Sequence, residues 1–249
     1  MNILGIIPAR YSSTRFPGKP LADICGKPMI WWVYQQVIQV KELSQVVVAT
    51  DDERISDVCH QYEMPVIMTR NDHENHVTRL SEVSERMEAD YYVCVNGDEP
   101  LILPQNIRKV IPQRIVEDEY AGYLMRSLTD PAETIDPSNI KLAVLSNGRC
   151  LYMSRNPIPY PKGTLKVTYK KLIGVECFNR KALQFYAHTP MGELEKIEDI
   201  DHLRFIEHNK PVIIREVASE SLSVDTFKDL EKVRMIMKSK LVGENEWNK

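Results

Sequence analysis

The chain has 249 residues, 43% hydrophobic and 27% charged, with a formal net charge of −3. That is enough apolar material for one large α/β domain, and the charge balance gives no global pull toward nucleic acid or an anionic membrane. The longest apolar runs fall far short of a bilayer span, and the five cysteines are scattered without CxxC or metal-ligand spacing. Reduced thiols, no basic n-region ahead of an apolar stretch, and neither nucleic-acid nor membrane partners lead to the expectation of a cytoplasmic protein.

Ile3-Leu4-Gly5-Ile6-Ile7 predicts a buried first strand. It empties into a loop that mixes small residues (Ser12, Ser13, Thr14, Gly18) with Arg10, Arg15 and Lys19, and with Lys27 further on. At the carboxyl end of a first parallel strand such a loop suits phosphate. Backbone N–H groups approach where side chains are small, arginine grips phosphate oxygens bidentately, and lysine acts as a point charge. The alternative, an ordinary solvated connection, fits the length of this loop poorly.

Val46–Ala49, Val66–Met68 and Tyr91–Val95 predict three further strands, with helices over 28–40, 52–62 and 79–88 between them. Asp52 and Asn71 are the expected caps or turn formers. Strand–helix alternation with short links predicts a doubly wound, mostly parallel sheet. Its ligand edge would carry Arg10–Lys19, Asp51-Asp52, Asn71–Arg79 and Asn96–Glu99. In the second half prolines cluster. A strand is expected over Leu172–Phe178, a helix over Arg180–Ala187 and one long amphipathic helix over Glu193–Glu207. A strand over Pro211–Val217 and a final helix over Thr226–Leu241 follow. The expected organisation is a single domain: a nucleotide-binding sheet over 1–130, a smaller acceptor and dimerisation lobe over about 131–220, and a final helix and tail over 221–249. Ser154–Tyr169 is the candidate oligomer arm.

Asp98 stands just past a strongly apolar strand, beside Gly97, which lets a ligand approach. A carboxylate so placed suits Mg²⁺, which takes one or two protein carboxylates, waters and phosphate oxygens. Asp225 is a second candidate, although its place before the last helix equally suits an N-cap. Glu99 is a weaker candidate, either a further ligand or only a holder of the loop. Arg10, Arg15 and Lys19 would cradle a triphosphate and its leaving pyrophosphate. Ala9, Thr50 and Asp51, at strand ends, could meet a pyrimidine edge, with cytosine and uracil not distinguished. No nucleophile elbow is present, so no covalent enzyme intermediate is expected.

IPARYSSTRFPGKPL (7–21) with DICGKPMI (23–30) resembles the start of the 3-deoxy-manno-octulosonate (Kdo) cytidylyltransferases, also called CMP-Kdo synthetases. The resemblance returns in family order at VVVATDD (46–52), MTRNDH (68–73), NGDEPLI (96–102), LYMSRNPIP (151–159) and VDT (224–226). It implies a Rossmann-like nucleotidyltransferase sheet and a CTP-dependent enzyme for surface polysaccharide synthesis. Such an enzyme transfers CMP to a small anionic acceptor, an acidic sugar of the Kdo type, and releases pyrophosphate. It also implies a homodimer formed through the second half. The family's pattern assigns Asp98 and Asp225 to magnesium, Arg10 and Lys19 to phosphate, and makes Lys19, Arg10 and Asp98 the catalytic set. Ala9, Arg10, Arg15, Lys19, Thr50, Asp51, Asn96, Gly97 and Asp98 are then the expected nucleotide contacts.

The acceptor side departs from that family. Where the family usually reads Ser-Gly-Thr-Asp/Glu-Arg, this chain has Asn75-His76-Val77-Thr78-Arg79. The family's Gln-Gly-Asp-Glu-Pro is here Asn96 to Pro100. Leu172 replaces a histidine, Glu176 a tyrosine, and Asp201-His202 a Glu-Gln pair. Arg79, Asn96, Arg155, Glu176, Asp201 and His202 are therefore the expected acceptor contacts, with His76 either a further contact or an ordinary surface residue. Plain Kdo is expected to be a poor substrate, and a pocket-facing Glu176 would favour an acceptor with an amine or one contacted through a hydroxyl network. The alternatives are CMP transfer to an amino-sugar acid, a phosphonate or a phosphorylated small molecule, or a catalytically silent nucleotide-binding protein.

Overall fold

The computed structural model describes residues 1–13, 16–218 and 222–247. The strands in chain order are β1 (Ile3–Ala9), β2 (Asp23–Ile24), β3 (Lys27–Pro28), β4 (Gln45–Thr50), β5 (Val66–Met68), β6 (Tyr91–Val95), β7 (Ala121–Ser127), β8 (Lys141–Val144), β9 (Cys150–Ser154), β10 (Lys170–Asn179) and β11 (Val212–Glu216). The helices are α1 (Met29–Val37), α2 (Glu53–Gln61), α3 (His76–Arg86), α4 (Pro104–Ile107), α5 (Pro131–Ile135), α6 (Arg180–His188), α7 (Glu193–Glu198), α8 (Leu203–Glu207) and α9 (Phe227–Trp247). Among the described residues no helix is long and apolar enough to cross a membrane.

One large sheet runs β11-β7-β10-β6-β1-β4-β5, with β8 joining β10 to β9. Its nucleotide half is parallel: β1 lies between β4 and β6, and β5 follows β4. The sheet does not end near residue 130. β10 pairs antiparallel with β6 and β7, and β7 pairs parallel with β11. The second half thus adds strands to the same sheet, which brings its side chains to the wall of the first half's ligand edge.

The period of two along β1 shows why both faces are covered. Ile3, Ile7 and Ala9 enter one core layer with Ile30, Val33 and Val37 of α1 and Ile55 of α2. Leu4 and Ile6 enter the other with Val77, Leu80 and Val83 of α3 and Leu183 of α6. Each fully buried Ile, Val or Leu contributes roughly 1.5–3 kcal/mol relative to exposure. A third, smaller core packs Leu230, Val233 and Met237 of α9 on Phe16, Ile24 and Met29. It pins the cationic loop and the β2–β3 hairpin to the last helix.

Two helices depart from the sequence pattern. α3 begins at His76, not Arg79, because Asn75 accepts a hydrogen bond from the Thr78 amide and caps it; Asn71 does not. The helix expected over 193–207 is two short ones. Asp199 adopts a left-handed backbone, φ +51°, a conformation aspartate tolerates better than most residues. This break turns Asp201 and His202 toward β10.

Candidate active site

The ligand edge opens onto a cavity of about 1060 Å³, walled by strand ends of the nucleotide half on one side and by β10 and the α7–α8 turn on the other. Gly18 has φ +70° and leads into a single 3-10 turn at Lys19–Leu21, with Pro20 fixing the turn's first step. That turn sets the Lys19 ammonium 2.5 Å from Asp98 Oδ2 and 3.6 Å from Asp225 Oδ1. The two carboxylates meet because the Val224 amide donates to the Asp98 carbonyl, 2.9 Å, which ties the segment before α9 to the loop after β6. Capping of α9 falls to Thr226: its amide donates to Asp229 Oδ2, and its hydroxyl accepts from the Asp229 amide. Asp225 therefore faces Lys19 rather than serving as the cap. Two carboxylates sharing one small cation form a donor set of the kind magnesium takes.

Glu99 is buried and holds the loop in place. Its Oε1 accepts from the Ser223 hydroxyl, 2.5 Å, and from the Gly174 amide, 3.3 Å, at an irregularity in β10. The same glycine is required for a close approach. A Cβ on Gly174 would stand 2.7 Å from Asn96 Nδ2.

Ala9, Arg10, Asn96, Gly97 and Asp98 line the cavity as expected. Arg10 is exposed there. Thr50 and Asp51 do not reach it. The Thr50 hydroxyl accepts from the Asp52 amide, which starts α2, and Asp51 is bound to Arg79 Nη2 at 3.2 Å. Arg79, expected to meet the acceptor, lines the cavity but is largely buried, with its guanidinium on Asp51 and the Thr69 hydroxyl. Lys27 is spent on the rings of Trp31 and Tyr62, 5.4 and 4.7 Å away, and takes no part in the cradle. Arg15 lies outside the described residues.

On the opposite wall Glu176, Asp201 and His202 come together with His76. Glu176 is 1% exposed, and both its oxygens lie 2.9 Å from His76 Nε2. His202 Nε2 is 3.3 Å from the same carboxylate. Asp201 lies behind both rings, 3.3 Å from His76 Nδ1 and 3.4 Å from His202 Nδ1. Burial alone would depress the His76 imidazolium, but Glu176 and Asp201 outweigh it and raise its pKa to about 9. Burial likewise works against the Asp201 carboxylate, yet His202 and His76 hold its pKa below the usual range. Glu176 faces the cavity with His76 and His202 against its oxygens, so it is not a bare negative charge there.

Arg155 lines the same wall, but its guanidinium donates to the carbonyls of Pro137, Glu198 and Asp199. It fixes the helix break instead of projecting into the cavity. Lys171 also lines the cavity and escapes sequence reading: its partners, Asn139 at 2.9 Å and Glu133 at 3.3 Å, are more than thirty residues away. No local spacing signals it.

A phosphate-type loop at the end of β1, two carboxylates converging on its lysine and a separate polar wall for a second substrate define a nucleotidyltransferase. The chain belongs to the cytidylyltransferase family, whose pattern matches residues 4–216, and it is a CTP-dependent nucleotidyltransferase. It is 39% identical over 236 residues to the 3-deoxy-manno-octulosonate cytidylyltransferase of Escherichia coli, covering 95% of this chain and 96% of that protein. It is 36% identical over 237 residues to the 8-amino-3,8-dideoxy-manno-octulosonate cytidylyltransferase of Shewanella baltica, covering 93% and 97%. A solved CMP:2-keto-3-deoxy-manno-octonic acid synthetase complexed with CTP superposes with a TM-score of 0.89 at 38% identity, covering 96% of this chain and all of that one.

Proposed function

We propose that this enzyme transfers CMP from CTP to a Kdo-type sugar acid, with Mg²⁺ held by Asp98 and Asp225. The observation that carries the reading is the meeting of Lys19, Asp98 and Asp225 at the end of the first strand, in the same cavity as a rebuilt polar wall. The named relatives support the acceptor class.

The acceptor hydroxyl oxygen forms a bond to the α-phosphorus of CTP and gives up its proton to water, while the bond from that phosphorus to the oxygen bridging to the β-phosphate breaks and pyrophosphate leaves. Lys19 and Arg10 balance charge on the phosphates. Asp98 and Asp225 would hold magnesium, which when bound would supply neutralisation of phosphate charge. Glu99 and Gly174 keep Asp98 and Asn96 in place between the two substrates. A homodimer in the cytoplasm belongs to this reading. The exposed Tyr160 and Leu165, in the expected oligomer arm, are consistent with a contact surface there.

Pyrophosphate release tests it, with CTP and a panel of Kdo, 8-amino-3,8-dideoxy-Kdo, aminoethylphosphonate and no acceptor. Release is expected with a sugar acid and not without one. Plain Kdo is expected below a kcat/KM of about 10⁴ M⁻¹s⁻¹, because Leu172 and the Glu176 wall replace hydrogen-bonding groups at the acceptor end. Release with aminoethylphosphonate alone would move the acceptor to another class.

A further inference from the structure

We propose that His76, Glu176 and His202 form a binding site for a divalent transition-metal ion of the zinc class, at the acceptor wall of the cavity and distinct from the Asp98–Asp225 pair. The three donors come from the start of α3, from β10 and from the α7–α8 turn, so the fold and not a local motif assembles them. Their ligand atoms all lie within 4.8 Å of one another. His76 Nε2 and His202 Nε2 stand 2.9 and 3.3 Å from the Glu176 carboxylate. Tetrahedral zinc, with bonds of about 2.0–2.1 Å, separates its ligand atoms by about 3.4 Å. Small side-chain shifts would therefore close the site around an ion.

The surroundings point the same way. Metal-bound histidines commonly present their second nitrogen to a carboxylate, which fixes the ring and its tautomer. Here one carboxylate, Asp201, stands behind both rings on their Nδ1 sides, while both Nε2 atoms turn to Glu176. His202 is 2% exposed, so its ring is fixed by packing, with Asp201 3.4 Å from its Nδ1 but not hydrogen-bonded to it. Two imidazole nitrogens with a carboxylate suit zinc, cobalt or nickel better than magnesium, whose ligands are oxygens. His76 is partly exposed and, like Glu176 and His202, lines the cavity, so the remaining coordination positions would face it. They would accept a hydroxyl or carboxylate oxygen of the acceptor. That use rests on the function proposed above; metal binding itself does not.

The test uses the full chain, stripped with chelator and titrated with Co²⁺ by visible spectroscopy and with Zn²⁺ by calorimetry, without CTP or acceptor. One equivalent should bind, with cobalt absorption in the visible showing imidazole ligation. His76→Ala, at the cavity rim, and Glu176→Gln should each weaken zinc binding at least about 100-fold, with circular dichroism checking the fold. Asp201→Asn should weaken it about 10–100-fold, and Asp98→Asn should leave it unchanged. No stoichiometric binding by the unaltered chain, or binding that survives His76→Ala and Glu176→Gln, would overturn the site. So would loss only in Asp98→Asn. Pyrophosphate release without zinc binding removes this site and leaves the proposed function standing; zinc binding without release does the reverse.

Discussion

Asp98→Asn is expected to lower kcat for CTP turnover by on the order of 10²-fold or more, with the fold intact. The carboxylate loses its charge but not its size, so packing after β6 should hold. The Val224 amide bonds the Asp98 backbone carbonyl, not its side chain, so the link that brings Asp225 close also survives. What is lost is one of two anionic donors facing Lys19, and a neutral amide is a weak magnesium ligand. Steady-state pyrophosphate release measures the loss, and circular dichroism checks the fold. Turnover near that of the unaltered enzyme would remove Asp98 from the mechanism.

Lys19→Ala is expected to lower kcat/KM for CTP far more than Tyr11→Phe does. The ammonium sits between Asp98 and Asp225, and removing it leaves both carboxylates facing incoming phosphate without a fixed counter-charge. Tyr11 instead packs its ring under Arg54, whose guanidinium carbon is 3.3 Å from the ring centre, a contact that phenylalanine keeps. Initial rates at varied CTP compare the two. Equal small losses would mean that the loop does not hold the phosphates.

The nucleotide half was legible because its signals are local. β1 carries a continuous apolar run with a period of two, and its loop concentrates cations and small residues within fifteen positions. Asp98 and Asp225, which the fold brings together at Lys19, could be singled out for the same reason, one just past an apolar strand and the other just before a helix. Thr50 and Asp51 lie outside the cavity lining, and Arg79 lines it with its guanidinium held by neighbours, because a place at a strand end does not say what a side chain binds. Arg79 is ion-paired with Asp51 at the cavity wall, and the Thr50 hydroxyl is taken by the Asp52 amide.

The acceptor wall was harder for a different reason. Glu176, Asp201 and His202 could be named by comparison with the family's pattern, yet their meeting depends on the helix break at Asp199. No glycine or proline marks that break; the carbonyls of Glu198 and Asp199 are held by Arg155, which lies more than forty residues earlier. His76 became part of the wall only because α3 starts three residues before its apolar pattern suggests. Competition between local pattern and distant partners decided these positions, and tertiary contacts won.

The most direct measurement of the central claim is the identity of the product. The purified enzyme is incubated with CTP, Mg²⁺ and either Kdo or 8-amino-3,8-dideoxy-Kdo, and the mixture is read by mass spectrometry and phosphorus NMR. The account predicts a CMP–sugar acid joined through one phosphodiester, formed together with an equal amount of pyrophosphate, and absent in Asp98→Asn on the same timescale. CTP left intact with both sugar acids, or pyrophosphate released without a CMP adduct of either, would contradict it.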